Sequence, residues 1–180
     1  SEIENLLNKF ESIENLRIIH NPKKLGFFKS VNNVIKKSKG DVVLIKSNVI
    51  VTGYWLQKMV VAAYYNKKIG TVTPLSNHDK FLSDLTTQNI IHQIKPDEIA
   101  SLVENASEHL KPEITYPNGI CIFIKRESIS SIGLLHEGIK DPQKVKESFY
   151  LKISENGWKH IIDDSTYVYE NKSHYDKDNL

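Results

Sequence analysis

The stretch LIKSNVIVT, residues 44–52, joins two apolar runs through a short polar corner. One apolar run, residues 42–45, enters the corner, and a second, residues 49–51, leaves it. The corner, residues 46–48, reads KSN and contains no carboxylate. A short apolar run bounded by polar residues is typical of a buried strand. We therefore expect a buried strand that presents the polar corner at its end.

The composition is that of one globular domain. The 180 residues are 39% hydrophobic and 26% charged, which excludes a disordered chain. No run approaches the ~18 apolar residues of a membrane-spanning helix, so no transmembrane segment is predicted. The net charge is +2 with dispersed basic residues, so nucleic acid is not an expected partner. The single Cys121 lies in an apolar run, which predicts a core position in a reducing compartment.

Helical and strand-like patterns alternate along the chain. Strands that alternate with helices of this length favour an α/β fold with a mostly parallel sheet. Residues 76–112 otherwise read as polar and loop-like, and Gly40 is the expected cap of the second helix. Predicted helices cover residues 2–14, 28–39, 54–65, 98–110 and 144–156, and predicted strands cover residues 16–20, 42–45, 69–73, 120–125 and 167–169.

Short motifs follow one another in a definite order along roughly residues 14–175. In the first half they are Leu25-Gly26-Phe27, Asn32, Gly40-Asp41, the stretch 44–52, Trp55-Leu56 and IGTVTPLSN at 69–77. In the second half they are residues 120–126, IGLLHE at 132–137, ENGWKH at 155–160 and Val168-Tyr169-Glu170. Together, in this order and spacing, they resemble glycosyltransferase family 2, and within it the bacterial branch that builds O-antigen and related surface polysaccharides.

This resemblance implies a GT-A fold, a Rossmann-like mixed sheet flanked by helices, with a nucleotide-sugar donor and a glycan acceptor as partners. The family opens with two strands and a helix that carry the nucleotide-base pocket, and the chain shows no counterpart of them. We therefore expect residues 1–170 to form a partial GT-A domain that lacks the first strands, followed by a polar tail at 171–180. The resemblance also implies a larger parent chain and a bacterial, cytoplasmic protein, held at the inner face of the membrane through that parent.

The metal-binding acid of the family falls on Asn48. A divalent cation on a diphosphate takes oxygen ligands, usually including one or two carboxylates. An amide brings no charge, and Lys46 would repel the ion, so we expect neither Mn²⁺ nor Mg²⁺, the ions of the family, as a cofactor. Lys46, Ser47 and Asn48 remain candidates for the donor diphosphate, with Lys46 as a fixed cation. The simpler alternatives are a solvated lysine and a turn asparagine.

The family's acidic cluster near the acceptor, which supplies the catalytic base, falls on residues 145–148 by resemblance. Only Glu147 is acidic there, with Ser148 beside it, and it stands one residue from the matching position. One residue turns a helical side chain by about 100°, which makes Glu147 a poor substitute. The family's final histidine falls on Glu170, and a glutamate there could still bind a cation.

Three functions are compatible with these substitutions. The loss of acids at three charge-bearing positions predicts a pseudo-enzyme, an inactive or auxiliary domain of a glycan-assembly protein. The first alternative is an active, metal-independent transferase in which Lys46 replaces the cation and Glu147 or Glu170 is the base. The second is a non-catalytic carbohydrate-binding or oligomerisation module.

By resemblance, Pro74, Ser76 and Asn77 belong to an acceptor-side loop.

Overall fold

The computed structural model describes residues 2–10, 12–21, 23–77, 94–139 and 141–171. Within these ranges it forms a mixed sheet flanked by helices. The helices are α1 (Glu2–Asn8), α2 (Phe27–Lys37), α3 (Trp55–Tyr64), α4 (Pro96–Ala106), α5 (Arg126–Ile132) and α6 (Pro142–Glu155). The strands are β1 (Val42–Ile45), β2 (Val49–Val51), β3 (Ile69–Ser76), β4 (Glu113–Ile114), β5 (Cys121–Ile124) and β6 (Lys159–Glu170).

The described strands form one sheet in the order β1-β5-β3-β6-β2, with β4 beside β6. Only the β3–β6 pairing is parallel. The expectation of a mostly parallel sheet is therefore wrong. Strand β5 runs between β1 and β3 and is antiparallel to both, and β2 and β4 are antiparallel to β6. An alternating pattern of helices and strands indicates where strands lie along the chain, but not in which direction each one enters the sheet.

Both faces of the sheet are covered, and β5 shows this most clearly. Its four side chains are buried although consecutive residues of a strand point to opposite faces. Ile122 and Ile124 pack with α2 and α6, while Cys121 and Phe123 pack on the side of α3. The predicted core position of Cys121 is confirmed, and burial raises the pKa of its thiol to about 12.

Several predicted boundaries need correction. Helix α1 ends at Asn8, not at residue 14, and α2 ends at Lys37 with Ser38 as its cap, so Gly40 does not cap it. Residues 16–20 form no strand. A strand needs a hydrogen-bonded neighbour, and the described sheet ends at β1, leaving Leu16 exposed. The predicted tail, residues 171–180, lies outside the described residues apart from its first position.

Arg126 ties the start of α5 to the end of α2. Its guanidinium donates to the backbone oxygens of Ile35 (3.2 Å) and Gly40 (2.7 Å) and to Ser38 Oγ (2.6 Å). The last carbonyls of a helix have no partner within the helix, and one of these bonds reaches such a carbonyl, that of Ile35, to which Ser38 also donates. The basic residue that follows β5 therefore has a structural role.

The buried His160 gives the fold a predicted sensitivity to acid. Its Nδ1 lies 2.6 Å from Thr71 Oγ1 and its Nε2 lies 3.0 Å from Tyr150 O, which is the pattern of a neutral ring that donates from Nε2. Burial lowers the pKa of His160, and the Tyr150 carbonyl and Glu113 offset this only in part. The unfolded chain, with a histidine pKa of about 6.5, therefore binds the proton first as the pH falls.

We expect the free energy of unfolding to be at its full value above pH ~6.5 and to fall below it. His160→Gln should flatten this dependence, measured by urea unfolding at several pH values. His20→Gln, at an exposed position, is the control and should leave the slope unchanged. An equal slope in the wild type and in His160→Gln would contradict this assignment.

Candidate functional site

The polar corner after β1 is an ion-paired cluster. Lys46 Nζ lies 2.7 Å from Glu170 Oε1. Asn48 Nδ2 donates to the Asn171 carbonyl at 3.0 Å and reaches Glu170 Oε1 at 3.5 Å. Ser47 is exposed in the turn. The structure therefore joins Lys46 and Asn48 to Glu170, which is 124 residues from Lys46 in the sequence.

Strand pairing places Glu170 at this corner. In the antiparallel β2–β6 ladder, Val49 is opposite Glu170, so the end of β6 meets the residue that follows Asn48. Asn77, just beyond β3, accepts from the Glu170 amide at 2.8 Å and donates to its carbonyl at 3.0 Å. The Glu170 side chain is 8% exposed and that of Lys46 is 46% exposed. The carboxylate is thus fixed, whereas the lysine can move into solvent.

Next to this corner lies a cavity of about 480 Å³ between α6, the amino end of α2, and strands β1 and β5. Its walls are mainly apolar, and the charged side chains that line it are Lys46 and Lys146. Among the described residues of its lining, none is an aspartate or a glutamate. The apolar part of the lining includes Phe28, Leu44, Ile122, Ile124, Leu135 and Phe149.

Helix α6 turns Lys146 and Tyr150 towards the cavity, because positions i and i+4 share one face of a helix. Both polar ends lie beside Gly119: a Cβ built there would be 3.6 Å from Lys146 Nζ and 3.8 Å from Tyr150 Oη. Burial and then the charge of Lys46 lower the pKa of Lys146. Burial raises the pKa of Tyr150 to about 12, so its hydroxyl remains a neutral donor at pH 7.

Glu147 and Ser148 occupy other faces of α6 and do not line the cavity. Glu147 is exposed and accepts from Gln143 Nε2 at 3.0 Å, one turn earlier on the helix. Lys146 faces the cavity. Glu147 is the next residue of the helix, so its side chain is rotated by about 100° away from the cavity. A role for Glu147 or Ser148 as the base stays a prediction without a contact that supports it.

Two solved structures share this fold. One is the mannosyltransferase PcManGT from Pyrobaculum calidifontis in complex with GDP-Man and Mn²⁺, with a TM-score of 0.64 and 13% identity over 97% of this chain. The other is GalNAc-T7 with UDP, GalNAc and Mn²⁺, with a TM-score of 0.69 and 14% identity over 94% of this chain. The chain spans 45% and 35% of their respective lengths. No protein-family model matches the sequence, and no curated protein sequence is similar to it.

The fold is that of GT-A-type glycosyltransferases. This confirms the coarse prediction of a glycosyltransferase fold, whereas the finer assignment to family 2 remains a prediction. No helix in the described ranges is long and apolar enough to span a membrane. Both related structures contain Mn²⁺, so the corner can be compared with what such an ion requires.

The corner does not suit a divalent cation. Mn²⁺ and Mg²⁺ favour several oxygen ligands with carboxylates among them. The corner offers the Glu170 carboxylate, which is already paired with Lys46, and the amide of Asn48, whose oxygen can ligate but carries no negative charge. Within the ranges that the structure describes, no three side chains of His, Cys, Asp or Glu are grouped as metal ligands.

The predicted acceptor-side residues occupy different environments. Pro74 and Ser76 are buried in β3, paired with β6, so their placement in a loop is wrong. Strand β3 continues through Pro74. A bulge in the β3–β6 register, between Pro74 and Leu75, accommodates the proline. Asn77 follows the strand and holds Glu170 in place. A substrate role for any of the three stays a prediction.

Sequence reasoning missed Lys146 and Tyr150 as site residues. Lys146 is one of residues 145–148, where the resemblance implies acids, and the resemblance gives no sign that it is a cation facing a cavity. The available signal was the spacing of Pro142, Lys146, Phe149 and Tyr150, which places all four on one helical face. That face could be recognised as a cavity wall only after α2, β1 and β5 were in place around it.

Proposed function

We propose that this chain is a glycosyltransferase family 2-like domain of bacterial surface-polysaccharide assembly that binds a nucleotide sugar without metal-dependent transfer. The observation that carries the proposal is the Lys46–Glu170 ion pair, 2.7 Å long, at the polar corner. It supplies an ammonium where the resemblance implies a metal ion. The role that follows is that of an auxiliary, non-catalytic member of a glycan-assembly protein.

The ion pair is suited to exchanging one anion for another. Ion pairs with an exposed partner contribute roughly 0–1 kcal/mol, and Lys46 is 46% exposed. A diphosphate could therefore attract the ammonium away from Glu170, at the cost of leaving the mostly buried carboxylate without Lys46. Lysine is an effective phosphate ligand as a point charge. This supports binding of the donor without an ion.

Transfer requires more than binding. A general base contributes about 10²- to 10⁴-fold to such a reaction, and metal stabilisation of the leaving group contributes several kcal/mol. The described lining of the cavity holds no carboxylate, and Glu147 points elsewhere. A donor bound at the corner would thus meet no built-in metal site, and the carboxylate at the corner, Glu170, is paired with Lys46.

Isothermal titration with GDP-mannose and with UDP-sugars tests the proposal. We expect equal donor affinity in Mn²⁺ and in EDTA, because Lys46 supplies the charge. Lys46→Ala should weaken binding about tenfold or more, since hydrogen bonds to charged groups contribute ~1.5–3 kcal/mol. Lys159→Ala is the control, because it breaks a different lysine–glutamate pair, with Glu113. Donor binding that requires Mn²⁺, or no donor binding at all, would contradict the proposal.

The second candidate is an active, metal-independent transferase. It is favoured by Lys146, which brings a second cation to the same cavity and could stabilise a leaving diphosphate. The base would be Glu170, released when Lys46 turns to the phosphates. Sugar transfer in EDTA that disappears in both Lys46→Ala and Glu170→Gln would establish this function over the first.

A further inference from the structure

We propose that the cavity between α6 and strands β1 and β5 binds an amphiphile: a single anionic head group at Lys146 and Tyr150, with an apolar body against the sheet. This site is adjacent to the polar corner, but the inference does not rest on the proposed function. It rests on the shape, the lining and the charge of the cavity.

The size and lining of the cavity are those of a ligand site. Its volume of about 480 Å³ falls within the ~300–1,000 Å³ typical of small-molecule pockets. Apolar side chains come from three directions: Phe28 from α2, Ile122 and Ile124 from β5, and Phe149 from α6. An apolar body placed there would be removed from water on most sides, which is favourable in proportion to the area covered.

Lys146 is the reason to expect an anionic ligand. Within the described part of the chain its ammonium makes no hydrogen bond and no ion pair. It lies half-buried in an apolar wall, where a charge is costly unless it is paired. In the described part of the lining the other charged side chain is also a cation, Lys46, so these residues supply the cavity with no anion.

Tyr150 completes the head-group site. It is 7% exposed, and its hydroxyl makes no hydrogen bond within the described residues. Its Oη and Lys146 Nζ lie beside the same residue, Gly119, so both can donate to one bound group. A carboxylate or a phosphate oxygen accepts such donors, and charge-assisted bonds of this kind are about twice as strong as neutral ones.

The same lining disfavours a hydroxyl-rich body. Among the lining residues that the structure describes, the side chains other than the two lysines and the tyrosine are all apolar. A sugar or a nucleobase would lose hydrogen bonds to water there without gaining side-chain partners. The ligand class is therefore an acyl or alkyl chain, or a comparable apolar group, that ends in a carboxylate or a phosphate monoester.

Titration calorimetry on the complete chain distinguishes the head groups. The probes are decanoate, decyl phosphate, the uncharged decanol and inorganic phosphate. We expect the two anionic amphiphiles to bind at least about tenfold more tightly than decanol, because only they pair with Lys146. Tighter binding of either one identifies the preferred head group. Inorganic phosphate should bind weakly, since it has no apolar body.

Two variants of α6 and a matched control locate the site. Lys146→Met keeps an unbranched side chain without the charge and should weaken the anionic probes about ten- to hundredfold while leaving decanol unchanged. It should also raise the melting temperature without ligand, because an unpaired half-buried charge is removed. Tyr150→Phe removes only the hydroxyl and should have a smaller effect of the same sign. Lys144→Met, exposed on the same helix, should change nothing.

Three results would overturn the inference. They are equal affinity for decanol and decanoate, equal weakening by Lys144→Met and Lys146→Met, and no binding of any amphiphile. Failure of donor binding in the nucleotide-sugar titration would leave this inference intact, since none of these probes carries a sugar or a base. Conversely, absence of amphiphile binding leaves the Lys46 experiment unaffected.

Discussion

Replacing Asn32 with alanine is expected to lower the free energy of unfolding by about 2–4 kcal/mol. Asn32 lies on α2 and is 1% exposed. Both the nitrogen and the oxygen of its side-chain amide form hydrogen bonds with the loop after α5. Its Nδ2 donates to Leu135 O and to Glu137 Oε1, each at 2.9 Å, and its Oδ1 accepts from Leu135 N at 3.1 Å. Alanine would leave both backbone groups of Leu135 buried without these partners.

Urea unfolding of Asn32→Ala and of Asn33→Ala measures this effect. Asn33 is the adjacent residue of α2 and is half-buried, and its side chain makes no hydrogen bond within the described residues, so its substitution should cost well under 1 kcal/mol. Similar losses in the two variants would show that helix propensity, and not the bridge to Leu135, accounts for the change. Asn32 thus braces the loop after α5, and the two variants give this role a measurable size.

The second large effect is a gain of metal binding in the double variant K46D/N48D. The substitutions remove the ammonium that occupies Glu170 and place two further carboxylates at the corner, which gives the oxygen-rich set that Mn²⁺ favours. With Mn²⁺ at about 100 times its dissociation constant, the free energy of unfolding should rise by about 2.7 kcal/mol. The wild type should show no such rise, because its only carboxylate at the corner is paired with Lys46.

Thermal unfolding with and without Mn²⁺ measures this gain. Adding E170Q to the double variant should abolish it, and the variant K46A/N48A should never acquire it. A rise of the same size in the stability of the wild type with Mn²⁺ would contradict the interpretation that Lys46 takes the place of a metal ion at the corner. It would also contradict the proposal of metal-independent donor binding.

The candidate site was only partly visible in the sequence. Residues 46–48 were recognisable because an apolar run ends there, and Glu170 because a resemblance pointed to it. Their contact depends on the β2–β6 register, which sets Val49 opposite Glu170 across more than 120 residues of chain. No local pattern encodes that register. Lys146 was hidden for a related reason, since a lysine on a helix is usually solvated.

The sequence by itself determined where most of the helices and the central strands lie, because 3.6- and 2-residue periodicities are local properties of the chain, but it predicted neither α5 nor β4. It also determined that the corner after β1 carries a lysine and an amide in place of acids. Only the tertiary structure decided that the sheet is mostly antiparallel, that Lys46 is joined to Glu170, and that α6 presents Lys146 to an apolar cavity. Each of these depends on which distant segments meet, and that is fixed by strand pairing across the sheet and by the packing of the helices on it.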